Sequence, residues 1–213
     1  MATRRDGEVP SRPYLQLGVS SNVTYTYDES RKEGERITSV WVNGKPIDPK
    51  GTYSVGSGSF LIAGRDNFTE LAKGSKPVDS GKINLSAWVD WIKAHKTLKP
   101  DFAKRAVSLT TSLHEGTSRD TTFTLGKPAD KAVAPDTVDF TSKDAVVNTI
   151  MKAQIVQDDK TVDVATTPVK DGWSSVSVKV PTAKGLVSGE ATIVFTFPDS
   201  GTTVRFAAKL SVP

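Results

Sequence analysis

The chain has no cysteine, which excludes disulfides, thiolate metal ligands and a thiol nucleophile together. Histidine is nearly absent. His95 and His114 are the only two, they stand 19 residues apart, and neither has ligand-like neighbours, so each reads as a solvated side chain. No apolar run approaches the roughly 20 residues of a membrane-spanning helix. Met1 to Pro13 is polar and lacks the apolar centre of a signal peptide. Nucleotide-cradling and nucleophile motifs are missing too: Gly56-Ser-Gly-Ser59 has neither the spacing nor the lysine of a phosphate loop, and no GxSxG stands anywhere.

The chain is otherwise ordinary for a globular protein. Its 213 residues, 37% of them hydrophobic, can bury one large core or two small ones. Twenty-eight Lys and Arg against 24 Asp and Glu give a formal charge of +4. These charges are dispersed, with only Arg4-Arg5 and Arg31-Lys32 adjacent in the first forty residues, whereas a nucleic-acid partner needs clustered positive charge. The reading is therefore a solvated surface, with no nucleic acid as partner and no membrane span.

The alternation of Val23, Tyr25 and Tyr27 predicts a half-buried strand over Val23–Asp28. A second strand is expected over Arg36–Val42, and Asn43-Gly44 is a strong two-residue hairpin signal leading into Lys45-Pro-Ile. Glu29 to Glu35 reads as a solvated loop between them. Residues 83–96 change period: Leu85, Trp88, Val89 and Ile92 fall at i, i+3, i+4 and i+7, the stripe of an amphipathic helix. Asn84 is positioned to cap it, Lys93, His95 and Lys96 suit its C-terminal end, and Pro100 stops it. Trp88 and Trp91 are expected to pack against the sheet.

Between these elements lies Tyr53-Ser-Val-Gly-Ser-Gly-Ser-Phe60-Leu-Ile-Ala-Gly64-Arg65-Asp66-Asn67-Phe68. Thr52 to Val55 reads as a buried strand end running into a glycine-rich turn, with Phe60 and Asp66 close together beyond it. An aromatic face beside a carboxylate suits a nucleoside, because bases stack on rings and a carboxylate accepts hydrogen bonds from ribose hydroxyls. The residues also allow a plainer reading. Phe60 is then a core residue, and Asn67-Phe-Thr-Glu70 is a capping box for a short helix ending at Gly74. Pattern alone leaves both open.

The same stretch resembles the C-terminal domain of the secreted bacterial 5'-nucleotidase and UDP-sugar hydrolase family. The family's V-N-G-K-P-x-D-P, T-Y-x-V and S-F-L-A-x-G-G-D-G-F correspond to Val42–Pro49, Thr52–Val55 and Ser59–Phe68, in the same order and spacing. The similarity reaches back to Tyr14-Leu-Gln-Leu and Val23–Asp28, and forward to Asp79-Ser-Gly and Val89-Asp-Trp-Ile-Lys93, covering about residues 14–105. It implies substrate-binding roles for Tyr14 and Phe60, sandwiching a base, and for Asp66, holding a ribose. It also implies an exported protein whose two divalent metals sit in an N-terminal catalytic domain with D-x-H and G-N-H-[DE] motifs. Neither motif occurs here. The family's G-G-D-G has become Gly64-Arg65-Asp66-Asn67. Arg65 and Asn67 thus replace glycines at positions where positive φ is needed, which Asn tolerates better than Arg.

After Arg105 only strands are predicted: Ala106–Thr111, Thr121–Leu125, Thr137–Phe140, Thr149–Val156, Thr161–Thr166, Ser174–Val180, Glu190–Phe197 and Thr203–Val212. Short alternating strands between turn signals such as Asp171-Gly172 and Asp199-Ser-Gly201 argue a β-sandwich. They resemble the immunoglobulin-like modules that follow the nucleotidase domain in some Gram-positive surface enzymes. The expected fold is thus an α+β half-domain, with a mixed sheet and one main amphipathic helix, followed by an all-β immunoglobulin-like sandwich. The expected division is 1–13 disordered, 14–105 nucleotidase-like and 106–213 immunoglobulin-like.

The function this implies is nucleoside or nucleotide recognition by part of a secreted or surface 5'-nucleotidase. Its partner would be the absent catalytic domain, and the chain alone would be inactive. A non-catalytic surface or adhesion module with a degenerate nucleotidase-like half is the alternative.

Overall fold

A computed structural model describes residues 16–113, 121–127, 136–140, 142, 144–179 and 185–212. Their backbone forms two compact units. One is built from the described residues of 17–48 and 101–212, and the other from 49–100.

The larger unit is made of strands. Seven of the eight predicted after Arg105 are present: β4 Ala106–Leu113, β5 Thr121–Leu125, β6 Ile150–Gln157, β7 Lys160–Pro168, β8 Ser174–Val178, β9 Gly189–Phe197 and β10 Thr202–Leu210. They are joined by β1 Val23–Tyr27, β2 Ile37–Val42 and the two-residue β3 Lys45–Pro46. One sheet has the order β3-β2-β1-β4-β5-β8 and the other β10-β9-β6-β7. The strands on either side of residue 105 therefore share a sheet. Tyr25 pairs with Ala106 and Tyr27 with Ser108 in the parallel β1–β4 ladder, flanked by antiparallel neighbours.

Strict alternation explains the core. Phe123 and Leu125 from β5, Val176 and Val178 from β8, Met151, Ala153 and Ile155 from β6, and Phe195 and Phe197 from β9 all point into one apolar cluster shared by the two sheets. Phe123 binds the layers, with its ring 5.1 Å from those of both Phe195 and Phe206. The buried Asn148 amide is paired, as burial requires. Asn148 donates to the Val138 carbonyl and to Asp139 Oδ1, and accepts from the Ser200 N–H.

Asn43 and Gly44, at φ 53° and 73°, make the hairpin turn that their dipeptide predicts. Thr137–Phe140 is the one strand expected there that does not form. Thr137 Oγ1 donates to the Asp139 carbonyl and accepts from the Asp139 N–H, a local bond that draws the backbone out of a ladder. Gly172 makes room for this turn: at φ 74°, a Cβ there would lie 2.7 Å from Thr137 Cβ.

The smaller unit has short helices and little interior. It contains α1 Ser59–Ile62, a 3₁₀ turn at Leu71–Lys73 and α2 Asn84–His95, and none of the three elements has a buried residue. Thr52–Val55 forms no strand; Tyr53 and Val55 are exposed. The helical stripe is real but bare, because Leu85 is 72% and Trp88 65% exposed. The expectation that Trp88 and Trp91 pack against a sheet is therefore corrected. Trp91 instead stacks on His95 at 4.0 Å, one turn along the helix. The helix begins at Asn84 itself, with Ile83 at the cap position and no side-chain cap bond.

Candidate functional site

Phe60 sits in the single turn of α1, whose start is Gly58 in an extended conformation. Its ring is 57% exposed, so the core reading of Phe60 does not hold. Four residues on, Gly64 at φ 77° reverses the chain so that the Arg65 N–H returns to the Phe60 carbonyl at 3.3 Å. Asp66 and Asn67 then follow at φ 53° and 66°. Arg65 is not among the left-handed residues. Of the two positions expected to be left-handed only Asn67 is, and Asp66 takes the place of Arg65; both Asp and Asn tolerate this region.

This turn places an exposed aromatic residue and an exposed carboxylate at either end of one short loop, with exposed Arg65 between them. Among the described residues no hydrogen bond or ion pair engages the Asp66 carboxylate. The turn backs closely on the 3₁₀ segment: a Cβ added at Gly64 would lie 3.1 Å from Ala72 Cβ. The capping box does not form, because Glu70 occupies the cap position and makes no side-chain cap bond, pairing instead with Lys73 at 2.5 Å. Tyr14 lies outside the described residues, as does His114.

Among the described residues, no group of three or more His, Asp or Glu side chains is placed to hold a metal ion, and no helix is long and apolar enough to cross a membrane. A shallow, open depression lies in the larger unit, lined by Tyr25, Trp41, Lys104 and Arg105 among others, and contains none of the predicted site residues.

One polar constellation in the larger unit has no local signal in the sequence. The Tyr27 hydroxyl donates to Asp136 Oδ1 at 2.7 Å across 109 positions of chain. The Lys127 ammonium touches the Glu29 carboxylate and lies 3.9 Å from Asp136 Oδ2. Burial pushes the Asp136 carboxyl above its usual range, aided by the neighbouring Glu29 and opposed by Tyr27 and Lys127. The hydrogen bond from Lys127 holds Glu29 below its usual range. Nearby, burial lowers the Lys104 ammonium, which donates to the Thr137 carbonyl at 2.5 Å.

The loop around Phe60 and Asp66 is thus an exposed turn in a segment with little core of its own. In sequence, residues 3–73 match the family described as 5'-nucleotidase, C-terminal domain. A 5'-nucleotidase-related protein of Glossina morsitans morsitans is 35% identical over 101 residues, which are 44% of this chain and 18% of that protein. The matched stretch is therefore under a fifth of that relative's length.

Proposed function

We propose that the chain is the nucleoside-recognising C-terminal portion of a secreted or cell-surface 5'-nucleotidase, whose metal-dependent hydrolysis is performed by a separate catalytic domain. The observation that carries this reading is the exposed Phe60 ring and the unengaged Asp66 carboxylate on one tight turn, inside the segment that matches the family. The ring stacks a base, the carboxylate accepts from ribose hydroxyls, and Tyr14 supplies the second aromatic face. On this reading the chain divides by descent into a nucleotidase-type part over 14–105 and an immunoglobulin-like module over 106–213, a division distinct from the two compact units, since β1 and β2 of the first part pair in the sheet of the larger unit.

The bare stripe of Leu85, Trp88, Val89 and Ile92 supports the same reading, since an amphipathic helix of this kind gains most of its stability from packing. In the whole protein it packs on the remainder of the nucleotidase domain.

Two aromatic faces contribute roughly 2–6 kcal/mol of gross stacking, and association removes at least about 4 kcal/mol. Adenosine is therefore expected to bind this chain with a dissociation constant on the order of millimolar. The test is NMR titration of the chain and of Phe60→Ala. The variant keeps its fold, because the ring is exposed, and loses the adenosine shifts. An absence of shifts in the unaltered chain at ~10 mM adenosine, well above that estimate, refutes recognition and favours the reading as a non-catalytic surface module.

A further inference from the structure

We propose that Glu29 and Asp136 share one proton over Lys127, forming a clip that fastens the 28–36 loop to the β5 end of the sheet within a bounded pH window. Three stretches of chain meet at this point. Tyr27 and Glu29 come from the end of β1 and the loop after it, Lys127 follows β5, and Asp136 opens the turn that Gly172 accommodates. A backbone bond from the Lys127 N–H to the Asp136 carbonyl, 3.0 Å, fixes the last two against each other.

Asp136 is the one buried carboxylate among the described residues. A single ammonium serves it and Glu29 together, with Lys127 touching Glu29 and 3.9 Å from Asp136. Two carboxylates facing one lysine in a partly dry site do not both ionise readily, so one of them keeps its proton. Burial decides which. Glu29 is half-exposed and in contact with the lysine, whereas Asp136 is covered and accepts from Tyr27. The clipped form is therefore Glu29 ionised against the lysine and Asp136 protonated beside it. Lys104 also faces Asp136 electrostatically, but its ammonium is committed to the Thr137 carbonyl. Asp28 and Arg31, in the same loop, pair with each other at 3.5 Å.

The signs give the window. Asp136 titrates above its usual range in the folded chain, so its stabilisation is lost as pH rises through that value and the two carboxylates repel. Glu29 titrates below its usual range, so its stabilisation is lost as pH falls through that value and the lysine contact empties. The clip is closed between the two and looser on both sides.

The test uses the full chain, with carboxyl carbon shifts and amide protection factors for residues 28–36 followed against pH. The expected result is two carboxyl steps separated by more than about one pH unit, with loop protection greatest between them. Asp136→Asn retains an acceptor for Tyr27 and removes the alkaline limb of the protection profile, while Glu29 still titrates low. Should that variant not fold, Glu29→Gln, on an exposed loop, removes the acid limb and lowers the Asp136 step. The two carboxyls titrating together in the ordinary carboxylate range, or a protection profile unchanged in either variant, overturns the proposal.

Discussion

The two units carry equally regular patterns and differ in what the patterns meet. In the larger unit, period-two alternation on β6 and β9 delivers Ile155, Phe195 and Phe197 to a core in which each is fully buried. In the smaller unit, the i, i+3, i+4, i+7 stripe of α2 is as clear, yet Leu85 and Trp88 stay in solvent. A periodic pattern fixes which residues share a face; it does not supply the surface that covers that face.

The strongest way to break this contrast is to remove a large core ring. Phe195→Ala is expected to cost about 3–5 kcal/mol, the usual range for emptying a buried aromatic site, read from the urea unfolding midpoint of the whole chain. A loss under about 1 kcal/mol would mean that the sheets do not share a close-packed interior. Gly172→Ala comes next. It combines a left-handed backbone with a Cβ 2.7 Å from Thr137, and about 1–3 kcal/mol is expected in the same assay. An unchanged midpoint would show that the Thr137 turn moves aside freely. The smallest effect is expected on the helix: Trp88→Ala stays within about 0.5 kcal/mol, as for an exposed side chain. A cost above about 2 kcal/mol would place the stripe against something in this chain and end the distinction between the units.

How far the sequence discloses these differences depends on the range of the interactions involved. Elements governed by neighbours are legible: Asn43-Gly44 gives its hairpin, and Thr121–Leu125 is a strand with the predicted bounds. Thr137–Phe140 is misread because a hydroxyl bond two residues long competes with a ladder. Thr52–Val55 has strand composition but forms no strand. The joining of β1 to β4 is not legible at all, since no local feature announces a parallel pairing across so many residues. At the candidate site, residue types and the need for left-handed backbone can be read, but which position takes it cannot: Asp66 does and Arg65 does not. The Tyr27–Asp136 bond lies wholly outside such reasoning, because its partners belong to different predicted domains.

That β1–β4 ladder also bears on the speed of folding. Tyr25 meets Ala106 eighty-one positions further along, so residues 49–100 form a loop whose two ends must come together before the six-stranded sheet is continuous. Closing such a span costs about 0.6 kcal/mol more for each doubling of length. It is therefore roughly 2 kcal/mol dearer than closing a ten-residue connection. Contacts this distant in sequence slow the search for the native pairing. The antiparallel β9–β10 hairpin, joined by the short turn that runs from Phe197 to Thr202, bears almost none of that burden. The four-stranded layer can thus assemble early, and the parallel seam closes last. Replacing 49–100 by a short linker would shorten that final step while leaving both sheets in place.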